Sequence, residues 1–533
     1  MPRRALTAVV LLLSFCAVGR AEAQERVVRP MRTGSAAFGG STSLMAELGD
    51  RLVFFGSADA GPADLWISDG TTAGTTLVKS MRTDGGQGLV AQTALRRVGG
   101  AVVFAADDGV HGVELWRTDG TPAGTTLLVD PHTAGSSQPS DVFVLGSAGF
   151  FRAAETGGAF ALFRTDGTAA GTSKIKAVAP YHFASAGTTL FFGGTDAQGF
   201  EPWRSDGTAS GTQIIADLAA GAGSSIPLGA GGAFGGVGAT RAVFVVDEGP
   251  PAGTTLWVTD GTPGGTTAIA DPMPGVQSPF AITPRFVSAG GFAYFSANDG
   301  VKGHEPWRTD GTAAGTIALA DLAPGAASSF GPIAQEMVAV GSRLFFVADD
   351  TRGPKLYVTD GSSAGTVLVK DVGAGSGKAV IRDMIAVGDT LYFVGGTGAA
   401  NTTHVWRSDG TPAGTVPLPG QDAVVRGDLT KAGRFLYYAG VQNTVTPTLY
   451  AYEIAPAPDG GASSSSSGGG SSGGSSSSGG SSSSSGAPAS SDGVGSDGGC
   501  GCRLVGSAAA GPAGLVGVAA ALLARVARRR RER

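Results

Sequence analysis

The sequence ELWRTDGTPAGTT occupies residues 114–126, and variants of it recur seven more times between residues 64 and 415. A Gly-rich stretch of this kind resembles a loop that cradles phosphate. Neither a Gly-Lys-Ser/Thr triplet nor a helical pattern follows it, however, so the phosphate interpretation fails. A site for one nucleotide also has no need of eight copies. The repeated stretch therefore predicts an architecture before it predicts a ligand.

The spacing of the repeats identifies that architecture. Each copy contains one Asp that opens a turn, namely Asp69, Asp119, Asp166, Asp206, Asp260, Asp310, Asp360 and Asp409. Successive members lie 50, 47, 40, 54, 50, 50 and 49 positions apart. A period just under fifty is typical of four-stranded propeller blades rather than of helical-pair repeats. Each unit also holds four short β-rich runs separated by turn residues, so the sequence predicts an all-β propeller.

The tryptophans occupy a single column of the repeat. All six stand three residues before the turn Asp: Trp66, Trp116, Trp203, Trp257, Trp307 and Trp406. Phe163 and Tyr357 fill the same column in the other two units. Large aromatic side chains at one repeated position favour packing between adjacent blades. A Trp-lined binding site is the alternative interpretation.

The Asp-Gly-Thr turn itself has a structural explanation. An Asp side chain accepts a hydrogen bond from the backbone two residues on, and Gly adopts turn conformations that other residues resist. Pro122, Pro263 and Pro412 stand at the second corner of the following turn, which type I turns favour. The sequence therefore predicts that this stretch connects the third and fourth strands of each blade.

The two ends of the repeat region complement each other. After the eighth turn, residues 433–440 and 448–454 read as two more strands without a fourth-strand partner. At the N-terminus, residues 27–35 resemble 77–85, which is the fourth-strand segment of the first unit. Pairing of the N-terminal strand with the last unit would close the ring and remove its exposed edges. This count gives nine blades; eight is the alternative, with one irregular unit, because residues 166–206 are few for a blade.

The N-terminal residues predict export. Arg3 and Arg4 precede an apolar run over 5–18, and Ala21-Glu22-Ala23 follows, so residues 1–23 read as a signal peptide cleaved after Ala23. Phe15 before Cys16 does not fit a lipoprotein cleavage site, which needs a small residue there. The propeller is assigned to residues 24–455, outside the cytoplasm.

The C-terminal residues predict a linker and an anchor. Residues 456–499 are rich in Ser and Gly and cannot bury a core, so they read as a disordered linker. The tail, 500–533, begins with Cys500 and Cys502, continues with an uncharged segment at 504–524 that is long enough to cross a bilayer, and ends in an Arg cluster. That cluster places the C-terminus in the cytoplasm.

The C-terminal tail resembles a known sorting signal. The tail resembles the MYXO-CTERM sorting signal of myxobacterial surface proteins, through Cys500 and Cys502 in a Gly-rich context, the apolar segment and the Arg run. This resemblance implies cleavage near the cysteines by a sorting protease and an anchored protein at the cell surface. A single-pass anchor that is never processed is the alternative.

Over roughly residues 50–420, the repeat resembles that of the ELWxxDGT repeat family, which occurs in secreted bacterial proteins. Glu114-Leu115-Trp116 with Asp119-Gly120-Thr121 matches in full, and Glu201 and Glu305 precede Pro-Trp. The last two units depart from the pattern, with Lys355 and His404 in the Glu column. The resemblance implies a surface repeat protein and transfers no activity.

Composition and residue types limit the chemistry. The net charge of −5 and the 15% of charged residues leave no basic surface for nucleic acid. The propeller holds no Cys, which excludes disulfides and thiolate metal sites there. The five histidines, His111, His132, His182, His304 and His404, have no common repeat position and predict no ligand ring. Asp-rich turns at 106–109, 297–300 and 348–351 are candidate calcium ligands, although Asp-Gly is also a common hairpin turn.

Three classes of function fit the sequence. A surface-anchored binding or adhesion module for a glycan or protein is favoured, because repetition is typical of binding and structural proteins. An extracellular propeller enzyme of lyase or glycosidase type and a structural envelope protein are the alternatives. No catalytic constellation is visible, so the sequence predicts no enzyme and no catalytic or cofactor-binding residue. The unit 174–206 deviates most and offers Lys176, Tyr181 and His182.

Overall fold

The computed structural model contains β-strands and no helix in the residues that it describes. These are residues 25–30, 32–33, 44–57, 61–86, 88–90, 94–227, 234–249, 253–272, 280, 285–330, 336–373, 379–397, 402–442 and 448–454. The predicted linker and the predicted membrane segment lie outside them. Within the described residues, no helix is long and apolar enough to cross a membrane.

The strands form nine antiparallel sheets, each of which is one blade of a propeller. The chain begins with β1 (Glu25–Pro30) and β2 (Arg32–Thr33). Blade 1 contains β3 (Met45–Leu48), β4 (Arg51–Ser57), β5 (Asp64–Ser68) and β6 (Thr76–Lys79). Blade 2 contains β7 (Arg96–Val98), β8 (Ala101–Asp107), β9 (Val113–Thr118) and β10 (Thr126–Val129). Blade 3 contains β11 (Ser140–Leu145), β12 (Ala148–Ala154), β13 (Phe160–Thr165) and β14 (Ser173–Lys176).

The middle blades repeat this order of four strands. Blade 4 contains β15 (Ala179–Ala186), β16 (Thr189–Asp196), β17 (Gly199–Ser205) and β18 (Gln213–Ile214). Blade 5 contains β19 (Phe234–Val237), β20 (Arg241–Asp247), β21 (Thr254–Thr259) and β22 (Thr267–Ala270). Blade 6 contains β23 (Val287–Ala289), β24 (Phe292–Asn298), β25 (His304–Thr309) and β26 (Ile317–Ala318).

The last three blades complete the ring. Blade 7 contains β27 (Met337–Val340), β28 (Arg343–Asp349), β29 (Pro354–Thr359) and β30 (Val367–Lys370). Blade 8 contains β31 (Val380–Val387), β32 (Thr390–Gly396), β33 (His404–Ser408) and β34 (Val416–Pro417). Blade 9 contains β35 (Val424–Ala432), β36 (Phe435–Val441) and β37 (Thr448–Glu453), and its fourth strand is β1.

The N-terminal strand closes the ring as predicted. β1 runs antiparallel to β37, with Glu25 opposite Tyr452 and Pro30 opposite Thr448. Arg26 forms a salt bridge of 2.7 Å with Glu453. The nine-blade count is confirmed, and the eight-blade alternative is wrong. Blade 4 has all four strands, and the short spacing before it arises because only Ala177 and Val178 separate β14 from β15.

The core of the molecule lies between the blades. Nine apolar clusters occur, one at each junction between neighbouring blades, including the junction of blade 9 with blade 1. The second strand of each blade is buried on both faces, as in β8, where residues 101–106 are all buried. This burial explains why these strands read as short continuous apolar runs.

The strand order gives the ring two distinct faces. One face, which we call the DGT face, carries the turns between the first and second strands of each blade. It also carries the Asp-Gly-Thr turns between the third and fourth strands. The loops between the second and third strands and the segments that link one blade to the next lie on the other, which we call the linker face. Antiparallel order requires this separation, because successive connections must alternate between the two ends of a sheet.

Candidate functional site

The Asp-Gly-Thr turns have the same hydrogen bonds in all eight copies, with Ser362 in place of the Thr in blade 7. In blade 2, Asp119 Oδ1 accepts from the backbone N of Thr121 at 2.9 Å and from its Oγ1 at 2.7 Å. Thr121 Oγ1 accepts from Gly124 N at 3.0 Å, and Thr125 Oγ1 donates to the Thr121 carbonyl at 2.7 Å. These hydrogen bonds hold the pKa of the Asp119 carboxyl below its ordinary value. The turn therefore holds one carboxylate oxygen, Asp119 Oδ1, in hydrogen bonds with Thr121.

Both glycines of the turn are required by geometry. Gly120 has a φ of 87°, in the left-handed region that favours glycine. A Cβ added to Gly124 would lie 2.0 Å from Asp119 Oδ2. The corresponding glycines of the other seven turns meet the same two restrictions. Steric restriction therefore explains why the same two glycines recur in every copy of the turn, and no ligand is needed to explain them.

The Trp column packs where neighbouring blades meet. Trp203 is 4% exposed and lies in the cluster that joins blades 3 and 4. The other members of the column lie in, or pack against, the corresponding clusters between their own blade and the preceding one. Trp66, Trp116 and Trp203 are buried, whereas Trp257, Trp307 and Trp406 are partly buried. The six lie at six different junctions and do not line a common site.

Two features of this column were missed from sequence. Each member lies opposite an aromatic residue of the second strand: Phe54, Phe104, Phe151, Phe192, Phe244, Phe295, Phe346 and Phe393. Blade 9 has the same arrangement with Tyr438 opposite Tyr450, whose ring centroids are 5.8 Å apart. Tyr450 is thus the ninth member of the column, and no Asp-Gly-Thr turn follows it to reveal the position.

On the linker face, the Glu of the repeat accepts hydrogen bonds from the segment that links its blade to the next one. Glu114 is fully buried and accepts hydrogen bonds from the backbone N of Ser137 at 2.7 Å and from its hydroxyl. Glu201 accepts in the same way from Ser225, and Glu305 from Ser329. The sequence signal is a Ser-Ser pair whose second Ser lies 23 or 24 residues after each Glu. The Glu of the motif therefore holds the following linker in place through these hydrogen bonds, an arrangement that we call the Glu clamp.

Burial of Glu114 makes stability depend on pH. Burial raises the pKa of the Glu114 carboxyl to about 7, above its ordinary value of 4.5. Between these values the folded chain binds more protons than the unfolded chain, so stability falls as pH rises from about 4.5 to about 7. We expect Glu114→Gln, which is neutral at every pH, to gain stability relative to the wild type by roughly 2–3 kcal/mol over this range.

Urea denaturation at pH 5 and pH 7 measures this effect. Glu155→Gln is the matched control, because Glu155 is partly exposed and pairs with Lys174 at 2.6 Å. A stability difference between Glu114→Gln and wild type that is equal at the two pH values would contradict the prediction.

The Asp-rich loops do not assemble a metal site in the described residues. Asp108 Oδ1 accepts from Val110 N and His111 N, and Asp299 Oδ1 accepts from Val301 N and Lys302 N. Asp350 forms salt bridges with Arg352 and Lys355. No group of three or more His, Cys, Asp or Glu side chains there is arranged to hold a metal ion. Cys500 and Cys502 lie outside the described residues.

One junction of the linker face differs from the others. Tyr181 and His182 lie on β15, the innermost strand of blade 4, at a β-bulge between Tyr181 and Ala184. Tyr181 is 37% exposed, and His182 has a φ of 57°, which is uncommon for a residue other than glycine. The same bulge and a φ of 55° at Asp383 occur at the equivalent place in β31 of blade 8, so these two features belong to the repeat and the exposed tyrosine distinguishes blade 4. Lys176 does not join Tyr181 and His182, since it ends β14, the outermost strand of blade 3.

Blade 3 contributes an arginine and an aromatic ring that lie beside Tyr181 of blade 4. The guanidinium carbon of Arg152, on β12, lies 4.4 Å from the centroid of the Tyr181 ring and 4.6 Å from that of Phe160. Phe200 contacts Tyr181 edge to face, with centroids 5.5 Å apart. We call Arg152, Phe160, Tyr181, His182 and Phe200 the junction cluster.

The short linker explains why the junction cluster reaches the surface. At the preceding junction the linker runs from Val129 to Ser140, and the buried Glu114 clamps it. Between blades 3 and 4 the linker is only Ala177 and Val178, too short to form a loop over the junction. Ala161 occupies the Glu position of blade 3, where there is no linker loop to clamp. The site thus arises from a local deletion in an otherwise repeated pattern.

Comparisons with known proteins support the fold alone. No protein-family model matches the chain, and no curated protein matches it. A structure from a study of two prolyl endopeptidases matches at 16% identity and a TM-score of 0.38, covering 65% of this chain and 52% of that one. A mutant of puromycin hydrolase matches at 14% identity and 0.34, covering 67% and 58%. Oligopeptidase B from Leishmania major matches at 10% identity and 0.38, covering 69% and 54%.

These matches contradict the prediction that the chain is not an enzyme, because the matched proteins are peptidases and a hydrolase. The prediction rested on the absence of a local catalytic motif, whereas catalytic groups need not be neighbours in sequence. The prediction is withdrawn. The chain spans little more than half the length of each of these three proteins, and TM-scores below 0.5 assign no reaction to it.

Proposed function

We propose that this is an exported protein whose propeller is held at the cell surface by its C-terminal tail and binds an extracellular glycan through the linker face. The predicted signal peptide, residues 1–23, supports export. The tail, with Cys500 and Cys502, supports anchoring after cleavage by a sorting protease, and the linker 456–499 would hold the ring away from the membrane.

The junction cluster carries the binding part of this proposal. The DGT face presents eight turns in which one oxygen of each Asp carboxylate is already hydrogen-bonded within the turn. The linker face, in contrast, presents an exposed tyrosine beside an arginine and a histidine. Aromatic rings combine a large apolar surface with little conformational freedom, which suits them to contact the flat apolar face of a sugar ring.

A glycan array tests the proposal. The full-length protein, purified in detergent, is applied beside its Tyr181→Ala variant in calcium-containing buffer. We expect the wild type to bind one class of sugars reproducibly and the variant to lose at least tenfold in affinity, while its melting temperature stays close to that of the wild type. An array without bound sugars would overturn the proposal in favour of a protein ligand or a structural role in the envelope.

A further inference from the structure

Among the described residues, Arg152 stacks against two aromatic rings, those of Phe160 and Tyr181. Arg82 pairs with Asp84 and Asp107, and Arg382 pairs with Asp383. For Arg152 the described part of the chain provides neither a salt bridge nor a partner for its buried Nε, and a buried Nε without a partner also occurs at Arg117 and Arg308. A buried guanidinium nitrogen without a partner is costly unless a ligand or water completes it.

Two aromatic rings hold this guanidinium in place. Tyr181 and Phe160 lie 4.4 and 4.6 Å from its carbon atom and come from different blades. Stacking of this kind stabilises a cation while leaving the edge of the planar group free to donate hydrogen bonds. The nearest acidic residue along the chain, Glu155, is paired with Lys174 and does not neutralise Arg152. The junction cluster is therefore a positively charged position with a fixed orientation.

The neighbouring histidine adds polarity without charge. Burial lowers the pKa of the His182 imidazole to about 4, and the charge of Arg152 contributes in the same direction. The ring centroid of His182 lies 6.2 Å from those of Tyr181 and Phe200. At neutral pH the cluster thus combines one fixed cation, one neutral imidazole and one exposed aromatic ring.

We infer that the junction cluster binds a carboxylate-bearing sugar, that is, a uronate unit of an acidic glycan, with the sugar against Tyr181 and the carboxylate on Arg152. The inference rests on the proposed function and adds the ligand class to it. A planar guanidinium matches a carboxylate through two parallel hydrogen bonds. Tyr181 is 37% exposed and its ring centroid lies 4.4 Å from the guanidinium carbon, so the two groups are close enough for one monosaccharide to contact both.

Binding of hexagalacturonate and of its methyl ester separates charge recognition from sugar recognition. Isothermal titration with the full-length protein at low salt should show at least tenfold tighter binding of the acid than of the ester, because esterification removes the charge and keeps the sugar. Arg152→Gln should abolish this preference. Arg152→Lys, which keeps a cation but loses the planar group, should retain only a small part of it. Arg164→Gln, in the same blade but towards the DGT face, is the control and should bind like the wild type.

The outcomes separate this inference from the proposed function. Equal binding of acid and ester, or an unchanged preference in both Arg152 variants, would overturn the uronate assignment while leaving glycan binding intact. Tighter binding of a sulfated galactan oligosaccharide than of hexagalacturonate would also overturn it. If the array shows no glycan at all, the proposed function fails first. Melting temperatures of all variants exclude unfolding as the cause of lost binding.

Discussion

Deletion of residues 25–30 should unfold the ring under conditions in which the wild-type protein is folded. The deletion removes β1 and exposes the edge of β37. It also removes Val28, which is fully buried at the junction of blades 9 and 1. Glu25 is lost as the acceptor of hydrogen bonds from Asp422 N, at 2.9 Å, and Ala423 N, at 3.1 Å.

The combined loss should be large. One buried valine contributes about 1.5–3 kcal/mol, and each hydrogen bond about 1 kcal/mol. Loss of one strand should therefore cost roughly 5 kcal/mol or more, which is comparable to the total stability of many domains. Thermal unfolding followed by circular dichroism measures it. A melting temperature equal to that of the wild type would contradict closure by β1.

Point variants on the same strand provide a matched comparison if the deletion prevents folding. Val28→Ala should lower the free energy of unfolding by about 2 kcal/mol, because it leaves a cavity in the closing junction. Val27→Ala is the control, since Val27 is 51% exposed. Equal effects of the two substitutions would show that the closing junction does not depend on Val28.

Replacement of one column tryptophan should have an effect of similar size. Trp203→Ala should lower the free energy of unfolding by about 3–5 kcal/mol, because the indole is buried between blades 3 and 4 and stacks on Phe192 with centroids 6.3 Å apart. Trp203→Phe should lose less than about 1.5 kcal/mol, because it leaves a smaller cavity than Ala. Phe163 occupies the same position naturally in blade 3.

Urea denaturation with both variants measures the difference. A loss below about 1 kcal/mol for Trp203→Ala would mean that the junction repacks around the cavity. The slope of unfolding against urea reports whether the ring still unfolds as one unit, since that slope scales with the surface exposed. A reduced slope in the Ala variant would indicate that blades 3 and 4 separate before the rest.

The sequence predicted the repeat and the closure because both depend on local residue identity. The spacing of Asp119 from its counterparts gives the blade size, and the likeness of residues 27–35 to 77–85 gives the closing strand. Eight and nine blades could not be distinguished, because the spacing before Asp206 reflects a two-residue linker and not a missing strand. Tyr450 could not be assigned for a similar reason, since it lacks the following turn.

Only some residues of the candidate site could be predicted from the sequence. Tyr181 and His182 belong to the deviating unit and could be named, but Arg152 and Phe160 stand in the preceding unit and look unremarkable there. Their contact depends on how two blades pack, which no local pattern specifies. The clamp made by Glu114 was also missed, because its partner Ser137 lies 23 residues away across a linker.

Ring closure also determines how the protein would carry a mechanical load. The tail continues from β37, which is hydrogen-bonded to β36 on one edge and to β1 on the other. Tension on the tail would therefore act along a strand held on both sides, and two rows of hydrogen bonds would have to shear together before the strand could leave. A ring closed the other way, with its last strand at the outer edge, would expose that strand to rupture along a single row. With the anchor proposed above, an N-terminal closing strand would make the point of attachment the more resistant part of the last blade.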